Sequence, residues 1–513
     1  METKSIESNI GKAFFWNSLI LPVSGIASFL GLIFIARFLT LSDFGIYAII
    51  NSIIALSIAY GDLGVSTGAS KFLPELVVKE GKRGVFHLLK YLFQFKCAIG
   101  LLTFFILLLL ARVFSSWFKI DETHFFIFPY IGVIVFLDSL YYLFHNLLWA
   151  TFEQKKANLW TICFTILQPI LIVLFIVWGL GIKGILVGMA VTSLLRATGF
   201  FFLGVLKVKN MEEIKGEGTS GESYSSRFLR VSLFGYFDKA SNHLFSIPFI
   251  TLLLAFYLGK EEIAFFSLAG EFTLRFLSLS LTPTHGWILP LFSTVFASKN
   301  EDQMRATFSD TLKIVTFLSI PIGTFLFVFA QPLILYLYSE KFLSAVPIAR
   351  ILVVFYFLEY TVLAVANATL IAGEELKTYF WIKAIFFLFI PLYFLVIPWS
   401  GLTGTAYFYG IIRLLVAVSL ILAVLKIFRF EFPYEFCGKV LLSAGIVAGL
   451  SEVALSILGT PFIQSIFWVL MEGSLFLLVY YLIIKGLRLF GKDEKDLLIK
   501  MNIPHLHKLL RWV

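Results

Sequence analysis

Apolar residues recur along this chain in windows of about twenty, with short polar stretches between them. A hydrocarbon core of ~30 Å is crossed by ~20 apolar residues in a helix. Such windows are expected at roughly 12–36, 44–68, 85–111, 125–149, 158–178, 184–206, 228–256, 264–292, 308–330, 345–371, 379–397, 401–425, 437–458 and 462–486. The pattern predicts an all-α integral membrane protein with about 14 transmembrane helices.

Composition agrees. With 59% hydrophobic and 14% charged residues over 513 positions, there is too little polar surface to solvate a globule of this length. The mean hydropathy is +0.91. Cys97, Cys163 and Cys437 are isolated within the expected spans and suggest neither a disulfide framework nor a metal site. Met1 to Lys12 lacks the layout of a signal peptide, so the first apolar stretch is expected to be a retained helix.

Basic residues orient the spans. If the N-terminus is cytoplasmic, the terminal segments and the connections after even-numbered helices hold 26 Lys and Arg, including Lys71, Lys79, Lys82, Arg83, Lys155, Lys156 and Lys207, against seven on the other side. That bias predicts a multi-pass protein of the inner or plasma membrane with both termini cytoplasmic. The net charge of +9 then reflects topology and contact with anionic lipid, and no nucleic-acid partner is expected.

The chain also repeats itself. Phe38 to Tyr47 matches Tyr257 to Phe266, and Glu153 to Trp160 matches Glu374 to Trp381, at nearly one spacing; Trp178 and Gly184 continue into Trp399 and Gly404. Two pseudo-symmetric six-helix lobes are expected, 1–210 and 228–430, joined by a cytoplasmic linker at 211–227. Helices 13 and 14 (431–486) and a cytoplasmic tail (487–513) stand outside the repeat. An even number of spans per lobe places the relating axis along the membrane normal.

Ala36-Arg37-Phe38-Leu39 with Phe44-Gly45-Ile46-Tyr47, then Asp62-Leu63-Gly64, Lys71-Phe72, the Glu153 to Lys156 connection and the Gly181, Gly184, Gly188 run resemble the polysaccharide transporter family. These are the Wzx-type flippases of O-antigen and other lipid-linked oligosaccharides, within the multidrug, oligosaccharidyl-lipid and polysaccharide exporter superfamily. The resemblance implies a MATE-like fold, no enzymatic activity, and translocation of a polyprenyl-diphosphate-linked glycan to the outer leaflet by alternating access. Membrane lipids and a polysaccharide polymerase or ligase are the other partners it implies.

Ionisable residues deep in a span usually face a partner or water, since each costs ~2.5–3.5 kcal/mol to insert. Arg196, Lys239, Arg275 and Arg413 are the candidate cations for a diphosphate, Arg as a planar fork and Lys as a point charge. Asp62, Asp138, Glu271 and Glu359 are candidates for H⁺ or Na⁺ coupling; no other cofactor is expected. Against these roles stands pairing among the side chains themselves, strongest for Glu271 with Arg275, four apart on one helical face. Pro22, Pro169, Pro248, Pro283, Pro321 and Pro391 are expected to kink spans, and His145, His243 and His285 read as satisfied side chains.

Gly216 to Ser223 imitates phosphate-loop spacing but has Glu222 at the lysine position, which excludes that nucleotide site. A cation-coupled multidrug exporter of the same superfamily is the alternative reading; mid-membrane cations would repel its cationic substrates. A membrane-embedded glycosyltransferase would need a larger hydrophilic loop than any between these spans.

Overall fold

A computed structural model describes residues 23–120, 124–151, 153–213, 221–458 and 466–486. The expected N-terminal segment, residues 214–220 of the linker and the tail therefore lie outside the described residues, as do Pro22 and the side chains of Pro283 and His285. The described chain is helical throughout, and it divides into two compact units at Ser267/Leu268.

The first unit begins with α1 (Val23–Phe38) and α2 (Leu41–Gly61). Thr40 caps α2, accepting from the Asp43 amide at 3.1 Å and so satisfying one of the free N–H groups of the first turn. The chain breaks at Leu63 and Gly64, both at positive φ, before α3 (Val65–Lys79). What the hydropathy pattern reads as one span at 44–68 is thus two helices meeting at Asp62.

Then follow α4 (Gly81–Leu109), the short α5 (Ala111–Trp117), α6 (Ile127–Ala150), α7 (Gln154–Phe175), α8 (Gly181–Lys209), α9 (Gly221–Leu244) and α10 (Ile247–Tyr257). Phe72, Leu92, Leu147, Ala157 and Phe200 form the centre of an apolar core shared by α3, α4, α6, α7 and α8. By the repeat α9 and α10 start the second half, yet they pack on α2 and α3. The repeat-matched segments touch there: a Cβ on Gly45 would lie 2.0 Å from the Lys260 carbonyl oxygen.

In the second unit, α11 (Lys260–Ala297) enters from the first and is followed by α12 (Glu301–Val328), α13 (Ala330–Tyr338), α14 (Val346–Ala372), α15 (Leu376–Phe386), α16 (Tyr393–Phe428), α17 (Tyr434–Leu458) and α18 (Ile466–Gly486). Val328, Phe329, Val440, Val447 and Phe476 bring α12, α17 and α18 into one cluster. Arg350 reinforces that junction, bonding Glu452 at 2.7 Å and the Phe327 carbonyl at 3.1 Å.

Among the described residues, eight helices are long and apolar enough to cross a membrane, nine if α9 and α10, which meet at 49°, form one span. Fourteen separate spans are not found among the described residues. Part of the difference is that two of the eight are hairpins. The run Gln154–Lys209 has 56 residues; straight, it would be about 84 Å long, far more than a bilayer core. It turns back at Gly179 and Gly181, both at positive φ, and Gly184, Gly188 and Gly199 then pack on Phe175, Ile172 and Trp160 in descending order. Leu376–Phe428 does the same at Gly401 (φ +61°), across which the Tyr393 and Phe408 rings sit 4.9 Å apart. Gly181 and Gly401 are matched positions of the two repeats, which places the same turn in each half.

The prolines fall in different settings, and Pro248 lies just past the 49° bend between α9 and α10. Pro169 and Pro321 lie inside continuous helices, Pro248 occupies the first turn of α10, where a missing N–H costs nothing, and Pro391 sits in a 3₁₀ segment.

Candidate functional site

In the second unit, Arg413 of α16 meets Glu359 of α14 through two parallel hydrogen bonds, Nε to Oε2 at 2.7 Å and Nη2 to Oε1 at 2.8 Å. Its guanidinium lies 4.5 Å above the Tyr356 ring, and Nη1 donates to the Tyr409 hydroxyl at 3.3 Å. The Tyr356 and Tyr409 hydroxyls are 2.6 Å apart. A planar fork over an aromatic face and a bidentate carboxylate is an arrangement lysine could not make.

The first unit repeats this with a shorter acid. Arg196 of α8 donates through Nη2 to Asp138 of α6 at 2.5 Å and lies 4.5 Å above the Tyr141 ring. Aspartate is one methylene shorter and makes a single contact; Nε of Arg196 is buried without an acceptor among the described residues. Both acids are buried, and both arginines are about one-fifth exposed.

Asp62 is arranged differently. At the break between α2 and α3 its carboxylate accepts from the Ser66 hydroxyl at 2.6 Å and from Lys96 of α4 at 2.7 Å, and Lys239 of α9 approaches at 3.3 Å. Two lysines thus converge on this one carboxylate. Lys96 is sealed at 4% exposure, but Lys239 is 40% exposed.

Seam geometry brings Lys239 there. Gly64 and Gly68 face Ser232 and Phe228 of α9 so closely that a Cβ on Gly64 would lie 1.8 Å from the Ser232 carbonyl oxygen, and Gly235 in turn faces Thr67. Small residues four apart let helix backbones approach, as they do between membrane helices generally. Arg227 adds an ion pair to Glu75 at 3.6 Å and lies over the Phe72 ring.

Glu271 and Arg275 pair along α11 at 3.0 Å. Each of the four expected cations is therefore matched to one of the four expected carboxylates. Spacing reveals just this last pair; Arg196 with Asp138, Arg413 with Glu359 and Lys239 with Asp62 join distant segments. Sequence reasoning did not single out Lys96 or Lys383, the second buried beside the Tyr379 hydroxyl. The signal available for both was a lone lysine inside an apolar run. His145 packs among Tyr141, Trp149 and Phe200, and His243 sits edge-on to Tyr60.

The family described as "Polysaccharide biosynthesis protein" matches residues 34–347. No curated protein matches the chain. Among solved structures, a lipid II flippase MurJ in an inward closed conformation has a TM-score of 0.72 at 17% identity, over 91% of this chain and 97% of that one. An inward-facing multidrug resistance MATE transporter of the MOP superfamily has 0.67 at 14%, over 81% and 98%. A MOP-superfamily transporter from Pyrococcus furiosus has 0.54 at 16%, over 80% and 96%. At such identities the likeness is one of fold: a multi-pass, all-α membrane protein built as the MOP-superfamily transporters are.

Proposed function

Because this chain belongs to the polysaccharide biosynthesis protein family, we propose that it is a flippase carrying a polyprenyl-diphosphate-linked oligosaccharide to the outer leaflet for cell-surface polysaccharide assembly. The observation that supports this most is the convergence of two lysines on Asp62, where Lys96 is sealed against the carboxylate and half-exposed Lys239 stays open to a phosphate. Arg196 and Arg413, already held by Asp138 and Glu359, keep about one-fifth of their surface open, and Arg275 a similar share. They add donors to an anionic headgroup without presenting a bare charge to the membrane.

In this reading the chain is Wzx-like and alternates access between the two leaflets, with both termini cytoplasmic. Asp62, Asp138, Glu271 and Glu359 are the groups open to H⁺ or Na⁺ coupling, and a polymerase or ligase receives the product. The orientation rests on the basic bias of the connections. Ser220→Cys should resist an impermeant thiol reagent added outside intact cells, and labelling there would reverse the topology.

The transport test uses the full chain in liposomes with a fluorescent, polyprenyl-diphosphate-linked sugar in the inner leaflet. Lys239→Gln should slow its appearance outside, and Lys239→Arg should keep most of the rate. If both variants transport at the parental rate, Lys239 does not recruit the headgroup; if the parent moves organic cations and not the lipid-linked sugar, the protein is a drug exporter.

A further inference from the structure

Between α3, α4 and α9 runs a cavity of ≈ 380 Å³, within the size range of ligand pockets. Leu76, Leu88, Tyr91, Phe95, Phe228 and Leu229 make its walls apolar. It follows α4 from Gly84 to Phe95, about 17 Å of helix, which is close to one leaflet of a ~30 Å hydrocarbon core. Tyr91 and Leu229 are 61% and 56% exposed, so the cavity opens sideways between α4 and α9.

The polar connection from Lys79 to Arg83 sets one end of this cavity at the membrane surface. Glu75 there is engaged by Lys79 at 2.6 Å and Arg227 at 3.6 Å, Glu80 is engaged as well, and Glu212 and Glu213 run beside Gly81 and Lys82. Among the described residues at this end, Lys79, Lys82, Arg83, Lys90, Arg227 and Arg230 outnumber those four carboxylates. Arg83 and Lys90 on α4 and Arg230 on α9 are exposed and form no ion pair among the described residues. Arg83, His87, Lys90 and Gln94, spaced by three and four, make one exposed polar stripe along α4, and His87 lines the cavity. Inside an apolar span such a stripe needs a polar partner.

We propose that this cavity binds an anionic phospholipid of the same leaflet, with one acyl chain along α4 and the phosphate at the Arg83, His87 and Lys90 stripe. Basic pockets between membrane helices hold anionic headgroups in this way, and Arg230 adds positive field from α9. The second chain leaves through the side opening over Tyr91 and Leu229. The opposite orientation buries a phosphate about 17 Å deeper, beside Leu63, Val65, Leu92 and Phe95, and the lysines at that end, Lys96 and Lys239, are bonded to Asp62. The site is separate from the Asp62 cluster, and the assignment does not rest on the flippase reading.

The test uses the purified full chain in phosphatidylcholine nanodiscs doped with a phosphatidylglycerol whose acyl chain carries a diazirine, and mass spectrometry to locate the adducts. Adducts should fall within residues 84–95 and 228–232, and the same doping with a diazirine phosphatidylcholine should give few. Arg83→Gln/Lys90→Gln, which alters exposed side chains alone, should need about fivefold more phosphatidylglycerol per charge removed to reach the same labelling. Leu88→Trp, which fills the cavity from a half-buried position, should abolish the adducts. Equal labelling by the two lipids, adducts elsewhere, or labelling unchanged in either variant would overturn the assignment. So would adducts that unlabelled undecaprenyl phosphate removes and unlabelled phosphatidylglycerol does not, which would give the cavity to a prenyl lipid.

Discussion

Arg413 grips Glu359 with two hydrogen bonds of 2.7 and 2.8 Å, whereas Arg196, within about a turn of the matched place in the other half, holds Asp138 with one of 2.5 Å. The acid is one methylene shorter in the second, and the tyrosine under the guanidinium follows the acid by three residues there but precedes it by three in the first. The aromatic shelf under the guanidinium is common to both, Tyr356 in one and Tyr141 in the other. Replacing one member of a buried ion pair strands the other, which costs about 3–5 kcal/mol, more than the pair itself contributes.

Glu359→Gln should therefore lower the thermal midpoint of the detergent-solubilised protein more than Glu359→Gln/Arg413→Gln, since the double variant leaves no bare guanidinium. Fluorescence-monitored melting of the parent and both variants checks this. A single variant as stable as the parent would mean that water already solvates Arg413.

Asp138→Glu should bring a second oxygen to Nε of Arg196, which is buried without an acceptor. The expected result is an unchanged or raised midpoint, with about 1 kcal/mol at stake for the added hydrogen bond. A clear loss would show that the space between α6 and α8 is too tight for the longer acid.

Gly64→Ala should loosen the seam, for two reasons that act together. The residue sits at φ +75°, where a side chain is strained, and its Cβ would fall 1.8 Å from the Ser232 carbonyl oxygen. Proteolysis near Arg227 should speed up in the variant. Ser66→Ala, which leaves the backbone contact intact, should show no such change, and equal rates for both variants would contradict the account.

Glu153 joins the start of α7 to the end of α8 through Lys207 at 2.8 Å, and to Lys156 at 3.0 Å. Partial burial alone would raise its pKa, but hydrogen bonds from the two lysines hold it below the ordinary 4.5. The folded state thus binds the proton less readily than the unfolded chain, so the stabilisation is present above the unfolded value and is lost as pH falls through the folded one. The group is partly exposed and the effect is a few tenths of a kcal/mol. Glu153→Gln should flatten the decline of the melting midpoint below about pH 5; an unaltered decline would assign it to other carboxylates.

Hydropathy was enough to establish a helical membrane protein, because ~20 apolar residues in succession have no stable place outside a bilayer or a large core. The same one-dimensional signals identified every acid and base in these four pairs, since a charge inside an apolar run stands out wherever it falls. Partners were another matter. Glu271 and Arg275 share a helical face and could be matched on paper, but Asp62 finds Lys96 and Lys239 through the packing of α3, α4 and α9. The break at Leu63 and Gly64, the hairpin turns at Gly181 and Gly401, and the docking of α9 on α3 were likewise decided by tertiary structure. Hydropathy records how much a residue avoids water; which neighbour replaces that water depends on backbones brought close by missing side chains, a property of two segments at once.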